Sequence, residues 1–426
     1  MTKHGALSIL ANIKPGFKQQ VIDICKQIEA EGVDTNHLIP FKQIMGLHFA
    51  RFVVLNESED ADGNKFGARL IFTSNYDEPF DHHLQELIAC GGKGFWQIFS
   101  YCEGFPTGTE YNEALLINYL KSAMIKSKTF YVGVGYRSVM QIKQENELRN
   151  QIENYIDKNR SSLRNQGPIA IREKIIEYVN RNPALNWTKQ PVAKPSLSWK
   201  IGFYGKLVLF GLLVIVLLPL IIPFVIIWLL IILLHEVREK DISFPVDKGH
   251  IRELVERENG LGQAQFSAMG NVKPGWVRRQ TMLFLLSITN FLAPYLFGRG
   301  KLSGIPTVHF ARWIIINRGR QMIFLSNFDG NSESYLRDFI NIAGKQLSLM
   351  FCHTIGYPKT RLMVIGGADD ANGFMRWARK FQTITNVWYS ANKEVSVSNI
   401  FKNSKIRDGL YGNMTEKEAA KWLSLL

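Results

Sequence analysis

The chain has 426 residues, with 51 Lys and Arg against 37 Asp and Glu, and a formal net charge of +14. This length allows two or three domains, and the basic balance favours an anionic partner, either nucleic acid or the acidic face of a membrane. The four cysteines lack the CxxC spacing of a zinc site, and the first residues, MTKHGALSIL, do not resemble a signal peptide. We therefore expect the folded parts to lie in the cytoplasm.

The first 150 residues contain a regular alternation of strand and helix patterns. Runs of β-branched and aromatic residues predict strands, and apolar residues at helical spacing predict helices. In chain order these are a strand at 6–13, a helix at 17–29, strands at 48–55 and 69–74, a helix at 80–89 and a strand at 129–136. This βαββαβ order is that of the ferredoxin-like module, so residues 1–150 are predicted to form module 1.

Residues 151–258 connect this module to the rest of the chain. Residues 151–202 contain an amphipathic helix at 168–182 and a proline-rich linker, residues 203–236 are a predicted membrane segment, and residues 237–258 are a charged connector. From Leu207 to Leu234, passing through Trp228, no residue carries a charge. As a helix, this run would be about 42 Å long against a hydrocarbon core of about 30 Å, so we expect it to enter a membrane.

Two prolines, Pro219 and Pro223, lie near the middle of this run and allow two topologies. A kinked helix could cross the membrane once, which the lysines before the run favour (Lys189, Lys194, Lys200 and Lys206). A hairpin bent at the prolines could instead enter one leaflet, similar in layout to the hairpins of oleosins. We favour the hairpin because it would keep the flanking parts together on the cytoplasmic side.

The first module returns after the membrane segment. Residues 47–56 are similar to 308–317, residues 72–106 align without a gap against 324–358, and residues 12–17 match 271–276. We refer to the two similar parts as copy one and copy two. Residues 259–412 are therefore predicted to form module 2, followed by a C-terminal helix at 413–426. The fold class is thus α+β, with two tandem βαββαβ modules that form a pseudo-dimer.

Copy two differs from copy one in its first helix. Residues 281–297 are apolar on every side and are bracketed by basic residues (Arg278, Arg279, Arg299 and Lys301). Such a helix is not explained by covering one face of a sheet. It could be buried between the copies, or lie in the membrane interface with its arginines at the head groups.

Matching strands of the two copies carry a histidine and an arginine: His48 and Arg51, His309 and Arg312. These four residues are the catalytic candidates, because together they could line a cavity shared by the two modules. In the alternative interpretation, the histidines are half-buried strand residues. The arginines would then pair with an acidic residue of a helix, such as Glu86 or Asp338.

A second pattern, FxSNxD, places Asn75 and Asp77 in copy one and Asn327 and Asp329 in copy two. These are candidate ligand-binding residues. Asn and Asp at the end of a strand also form Asx turns and cap the helix that follows, which is the simpler expectation. The neighbouring His82-His83 pair cannot face one metal ion from a helix, and no metal site is predicted.

Two βαββαβ units in one chain resemble the dimeric α+β barrel superfamily, which includes dye-decolourising peroxidases and chlorite dismutases. The resemblance covers roughly residues 5–150 and 260–410 and concerns topology and repeat layout. It implies two sheets packed face to face, and it makes a haem cofactor and peroxidase-like chemistry the second functional hypothesis. Residues 327–330 partly match the GxxDG pattern of the dye-decolourising peroxidases.

RNA-recognition domains share the same element order, but the third strands, ARLIFT and QMIFL, lack their aromatic RNP1 pattern. We therefore expect no nucleic-acid partner and assign the basic charge to an anionic membrane surface. The leading hypothesis is a membrane-anchored protein that binds or acts on an apolar, lipid-like ligand between its two modules. A non-catalytic membrane scaffold is the third hypothesis.

Overall fold

A computed structural model describes residues 2–106, 108, 110–192, 195–242, 244–245, 247–258, 262–297 and 300–426. Lys194 and Arg299, two of the flanking basic residues, lie outside this part of the chain. The strands are β1 (His4–Asn12), β2 (Leu47–Leu55), β3 (Ser58–Glu59), β4 (Lys65–Phe66), β5 (Arg69–Asp77), β6 (Ser127–Val132), β7 (Gln263–Asn271), β8 (Val308–Ile316), β9 (Gln321–Asp329), β10 (Thr360–Arg361), β11 (Ile365–Gly366) and β12 (Val387–Ser390).

The protein contains both helices and strands, and more residues lie in helices than in strands. The helices are α1 (Lys18–Ala30), α2 (Phe80–Phe99), α3 (Glu113–Ser122), α4 (Val139–Lys158), α5 (Arg160–Leu163), α6 (Pro168–Arg181), α7 (Leu197–Arg238), α8 (Lys248–Glu258), α9 (Trp276–Leu296), α10 (Ser332–Phe351), α11 (Ala371–Phe381), α12 (Val397–Asp408) and α13 (Glu416–Leu423). The predicted helix at 168–182 is confirmed as α6. The C-terminal helix is confirmed as α13, which Thr415 and Glu418 open with a capping box.

Two four-stranded antiparallel sheets form the centre of the molecule. Sheet one has the strand order β1-β5-β2-β12, and sheet two has the order β6-β8-β9-β7. Each sheet therefore takes three strands from one copy and its fourth from the other: Val387 pairs with Phe52, and Thr129 pairs with Trp313. Our expectation that the last strand of each module completes its own sheet is wrong. Because β2 and β8 have similar sequences, each offers nearly the same edge to either final strand.

The two sheets pack face to face, and helices cover their outer faces. Between the sheets lies a small apolar cluster from the central strands of both: Val53, Leu55, Ile71, Ile314, Ile316, Ile323 and Leu325. Helices α1 and α2 cover sheet one. Sheet two is covered by α9, α10 and α11. Burying apolar surface on both faces of both sheets supplies the main drive for this arrangement.

Helix α2 is ten residues longer at its C-terminal end than the predicted helix at 80–89. Its extension contains the Gly-Gly-Lys-Gly sequence, which the residue pattern does not favour as helix. The structure shows why glycine occurs there, because a Cβ on Gly94 would lie 2.4 Å from the carbonyl oxygen of Leu38. The glycines let the segment between α1 and β2 pack directly against the helix.

Helix α7 is long and apolar enough, by length and composition, to cross a membrane. It continues through Pro219 and Pro223 as one helix of 42 residues, so the predicted hairpin is wrong. The chain does not reverse at the prolines because residues on both sides of them keep contact with the folded body. Partly buried or buried residues recur every three, four or seven positions along one stripe of α7: Phe203, Leu207, Phe210, Val214, Ile221, Trp228 and Ile232. Most other side chains of α7 between 208 and 230 are exposed.

Helix α9 lies between sheet two and α7. On the sheet side, the Thr129 hydroxyl donates to the carbonyl oxygen of Leu286 at 2.7 Å. On the other side, Phe291 contacts Phe210 at 4.9 Å between ring centroids, and Thr281 accepts from the Trp228 indole at 2.8 Å. The apolar character of α9 on all sides therefore reflects burial between two elements, which neither sequence-based interpretation described.

Candidate functional site

Arg51 crosses from sheet one into sheet two. Its Nη1 donates to the carbonyl oxygen of Phe266 and to the Ser267 hydroxyl, both at 3.0 Å. Its Nη2 donates to the carbonyl oxygen of Ser326 at 2.8 Å and to Oδ1 of Asn327. The guanidinium therefore joins β7 and β9 of the opposite sheet through their backbones.

Arg312 makes the equivalent crossing in the other direction. Its Nη1 donates to the carbonyl oxygen of Leu7 at 2.6 Å and to the Ser8 hydroxyl at 3.0 Å. Its Nη2 donates to the carbonyl oxygen of Ser74 at 2.8 Å. Ser8 and Ser74 align with Ser267 and Ser326 in the sequence repeat. The two arginines thus form one reciprocal arrangement.

The predicted pairing of these arginines with Glu86 or Asp338 is wrong. Within the described residues, neither guanidinium has a carboxylate partner, and both are completely buried. Burial lowers the pKa of each to about 9, and for Arg51 the charge of Arg312 adds to this effect. Both groups stay charged at neutral pH and depend on carbonyl and hydroxyl oxygens for stabilisation. The two arginines cross the space between the sheets, where we expected a shared cavity.

His48 and His309 each bond the aspartate of the FxSNxD sequence in their own copy. The Nε2 atom of His48 lies 2.9 Å from Oδ1 of Asp77, and that of His309 lies 2.7 Å from Oδ1 of Asp329. The second oxygen of each aspartate accepts a backbone amide at the start of a later helix, from Val139 in α4 at 3.0 Å and from Val397 in α12 at 2.8 Å.

The expectation that Asp77 and Asp329 cap the next helix is therefore wrong. They act on α4 and α12, the helices that follow the exchanged strands β6 and β12. A carboxylate at the first turn of a helix is favoured by the helix dipole and by the free amides there. Each His–Asp pair thus fixes where a helix begins after the chain has crossed to the other sheet.

Asn75 and Asn327 meet at the interface between the sheets. The Asn327 amide donates to Oδ1 of Asn75 at 3.2 Å, and Oδ1 of Asn327 accepts from the Trp388 indole at 3.0 Å. Both side chains are buried. These contacts are internal, and the two asparagines line none of the clefts described below.

At one end of sheet one, a third side chain joins the His48–Asp77 pair. The Nε2 atom of His4 lies 3.5 Å from Oδ1 of Asp77 and 3.0 Å from the carbonyl oxygen of Arg137. One nitrogen of each histidine and one aspartate oxygen all lie within 4.8 Å of one another. Copy two has Gln263 at the matching position, and its amide lies 3.3 Å from Nε2 of His309. Of the three residues in this set, only the first differs between the copies.

A cleft of about 670 Å³ opens next to His4. It lies where the start of α7 and the end of α9 meet sheet two. Its walls combine aromatic side chains with two lysines and one glutamate: Phe130, Tyr136, Trp199, Phe203, Tyr295, Lys3, Lys206 and Glu78. The exposed apolar face of α7 begins directly beyond this cleft.

A second cleft of about 790 Å³ lies between α1 of copy one and α8 and α11. It is lined by side chains of both charges, including Lys26, Glu253 and Arg376. Its lining includes neither a member of the His–Asp pairs nor a residue of α7. The smaller cleft is the better candidate because it combines polar, aromatic and apolar surface at one place.

The C-terminal end of α7 is held by a buried ionic cluster. Glu236 accepts from the Thr360 hydroxyl at 2.7 Å and from the amides of Leu362 and Met363 at 2.6 and 3.0 Å. Arg278 of α9 lies 3.7 Å from Glu236 and donates to Glu239 at 2.5 Å. Arg278 is thus buried in an ion pair, which corrects the prediction that it lies at lipid head groups.

Comparison with known protein families, with characterised proteins and with solved structures found no match. The functional argument therefore depends on this chain's own residues. The sequence-based prediction missed His4, Trp199, Phe203 and Tyr295 as parts of one site. The repeat contained one usable signal for His4, because the alignment of Asn12 with Asn271 sets it opposite Gln263 and shows a difference between the copies at that position.

Proposed function

We propose that this protein is a membrane-bound lipid-binding protein. In this proposal α7 is the membrane-attachment element, and the cleft lined by Trp199, Phe203, Tyr295 and two lysines binds an anionic phospholipid. The observation that carries the proposal is that the cleft opens at the point where the exposed apolar face of α7 begins. A lipid could keep its acyl chains against α7 while its head group enters the cleft.

The attachment proposed is a helix lying in one leaflet. A helix that crosses a bilayer carries its two ends to opposite sides of a core about 30 Å thick. In α7 both ends contact the same body, Phe203 at Tyr295 and Glu236 at Arg278. An in-plane helix needs no separation of these contacts, and it would keep both copies on one side, which we propose to be the cytoplasmic side.

The prolines agree with an in-plane position. Pro219 and Pro223 have no backbone N–H, so the carbonyl groups four residues earlier, at Ile215 and Pro219, lack their helical donor. All three residues are exposed. A helix near the head groups keeps these carbonyl groups closer to water than a helix through the centre of the hydrocarbon core would.

The head-group specificity follows from the side chains of the cleft. Aromatic rings with a polar edge, such as those of Trp199 and Tyr295, are suited to the level of the lipid head groups. Lys3 and Lys206 attract an anionic group, and the formal charge of +14 adds a general attraction to an acidic surface. An anionic phospholipid matches both the apolar and the cationic parts of this surface.

Vesicle flotation with the full-length protein tests the attachment. Val216 and Leu220 lie on the exposed face of α7, and the double substitution Val216→Glu and Leu220→Glu should abolish flotation with vesicles. Met140→Glu is the matched control, because Met140 is an exposed apolar residue on α4 and its variant should float as the wild type does. Equal flotation of the α7 variant and the wild type would reject the attachment.

Lipid specificity is tested separately in the cleft. Lys206→Ala should reduce the preference for vesicles that contain an anionic phospholipid over vesicles of phosphatidylcholine alone. Lys200→Ala serves as control, because Lys200 is an exposed lysine on the same helix that does not line the cleft. Native mass spectrometry of the wild type should detect bound phospholipid. A protein without bound lipid and without head-group preference would support the scaffold hypothesis instead.

We also propose that the two copies form a ferredoxin-like pseudo-dimer with exchanged fourth strands, with module boundaries near 1–150 and 259–412. The exchange of β6 and β12 and the reciprocal bonds of Arg51 and Arg312 support this interpretation. The haem hypothesis has weaker support. His48 and His309, two of the catalytic candidates, each already bond an aspartate at a buried position.

A further inference from the structure

The His4, His48 and Asp77 side chains, which we name the His–His–Asp cluster, have a composition that their structural role does not require. Fixing the start of α4 needs Asp77, and orienting Asp77 needs one partner. Copy two fulfils the same role with Gln263, His309 and Asp329. The second imidazole in copy one therefore needs another explanation.

The distances in the cluster agree with metal coordination. For metal–ligand bonds of about 2.1 Å at tetrahedral angles, neighbouring ligand atoms lie roughly 3.4 Å apart. In the cluster, Oδ1 of Asp77 lies 2.9 Å from Nε2 of His48 and 3.5 Å from Nε2 of His4. Small rotations of the side chains would be enough to place all three atoms around one ion.

The hydrogen bond outside the cluster also suits a ligand set. The second oxygen of Asp77, Oδ2, accepts a hydrogen bond from the Val139 amide at 3.0 Å. This bond orients the carboxylate, as hydrogen bonds to metal-binding carboxylates do in known metal sites. Binding would replace the contact between Nε2 of His4 and the carbonyl oxygen of Arg137.

We propose that His4, His48 and Asp77 bind a divalent transition-metal ion such as Zn²⁺ at the wall of the cleft. Two imidazoles and one carboxylate are a common ligand set for such ions, and three protein ligands leave one position open. Because His4 also lines the cleft, the open position is available to the anionic group of a bound molecule. This last step rests on the proposed lipid function; the metal site itself does not.

The duplicated chain supplies the control variants. His4→Gln gives copy one the residue that copy two carries, so the fold should tolerate it, and near-ultraviolet circular dichroism checks that it does. Gln263→His gives copy two the full ligand set. Full-length, tag-free protein is stripped with a chelator and titrated with Zn²⁺, followed by calorimetry and metal analysis. Co²⁺ serves as a second probe because its visible absorption reports the coordination geometry.

The wild type should bind one Zn²⁺ per chain, and its Co²⁺ form should show the strong absorption of a four-coordinate site. His4→Gln should weaken Zn²⁺ binding at least about 100-fold, since it removes one of three ligands. Gln263→His should bind a second ion. A wild type that binds no Zn²⁺, or a folded His4→Gln variant that binds it unchanged, would overturn the proposal. Failure of Gln263→His to add an ion would contradict the deciding role of the second imidazole.

Metal binding and lipid binding are measured independently. Loss of flotation or of head-group preference with intact Zn²⁺ binding would reject the proposed function and leave the metal site. Absence of Zn²⁺ binding with normal flotation would reject the metal site and leave the proposed function. If the ion contacts the lipid, added Zn²⁺ should increase the preference for anionic vesicles in the wild type, and this increase should be absent in His4→Gln.

Discussion

Copy one and copy two share their buried polar contacts but differ in the helix that covers each sheet. Arg51 and Arg312 contact matching serines and carbonyl groups, and the two His–Asp pairs hold matching helices. By contrast, α1 is amphipathic with one buried face, whereas α9 is buried between sheet two and α7. The inner contacts join the copies to each other, so a change in one copy would leave polar groups of the other without partners. The outer helices pack on their sheets mainly through apolar side chains, so their sequences can diverge more easily.

The largest effect is expected when one of the two central arginines, Arg51 or Arg312, is removed. Arg51→Ala and Arg312→Ala should each lower the free energy of unfolding by about 3–5 kcal/mol, since each leaves buried carbonyl groups without a donor. The two losses should be similar because the contacts are reciprocal. Arg149→Ala, which breaks a partly exposed ion pair within α4, should cost less than about 1 kcal/mol. Denaturant unfolding measures all three, and a large loss for one central arginine alone would contradict the reciprocity.

The free energy of unfolding measured over a range of pH tests the difference between His4 in copy one and Gln263 in copy two. Burial holds the pKa of His4 at about 4, below its ordinary value of 6.5, so the unfolded chain binds the proton more readily than the folded chain. Stability should therefore fall as the pH decreases from about 6.5 to about 4, by up to about 3 kcal/mol from this residue. Metal-free His4→Gln should lose less stability over this range than the metal-free wild type.

The remaining acid sensitivity of His4→Gln has identifiable sources. Burial lowers the pKa of His83 in copy one and of His353 in copy two to about 3. The wild type and His4→Gln both keep these two residues. The difference between their curves of stability against pH therefore reports on His4 alone. Parallel curves for wild type and His4→Gln would contradict the assignment.

The aspartates provide a smaller, symmetric test. Asp77→Asn and Asp329→Asn should each destabilise the fold by about 1–2 kcal/mol, because each weakens one bond to a histidine and one charge-assisted bond to a helix amide. Thermal unfolding followed by circular dichroism compares them. A markedly larger effect of Asp77→Asn in protein loaded with Zn²⁺, but not in metal-free protein, would fit the proposed metal site. Unequal effects in metal-free protein would count against equivalent roles.

The smallest expected difference between the copies is in the reactivity of the cysteines buried under the outer helices. Cys25 in α1 and Cys352 at the end of α10 are fully buried, and burial raises the pKa of each thiol to about 12. Both should react slowly with a maleimide at neutral pH, whereas the half-buried Cys90 should react faster. Mass spectrometry of labelled peptides measures the rates. Rapid labelling of Cys352 but not Cys25 would show that the apolar cover of copy two opens more easily.

The local elements could be predicted from the sequence, and their long-range partners could not. The helix at 17–29 was predicted within one residue, because its apolar positions keep helical spacing. The exchange of β6 and β12 was not predictable, since β2 and β8 present similar edges. Likewise, the two prolines and the duplication favoured a hairpin in the apolar segment, but Phe203 and Trp228 contact α9 on either side of the prolines and α7 continues as one helix.

The candidate site shows the same limit. The polar residues of the repeat were identified, but their partners were assigned to the nearest helix in the sequence. In the fold, Asp77 bonds Val139, and Arg51 bonds residues of β7 and β9 more than 200 positions away. His4 stands at the end of a strand whose register with β5 brings it to Asp77. Register depends on the whole sheet, which local patterns do not specify.

The strand exchange also has a consequence for how the protein is made. Sheet one requires β12, which lies close to the C terminus, as its fourth strand. During translation, the edge of β2 therefore stays unpaired while α7 and nearly all of copy two are synthesised. An open strand edge is prone to pair with other chains, and so is an apolar helix that has no membrane yet. Under the proposed membrane attachment, delivery of the ribosome to the membrane before β12 is synthesised would give α7 its environment early and leave only the edge of β2 to be protected.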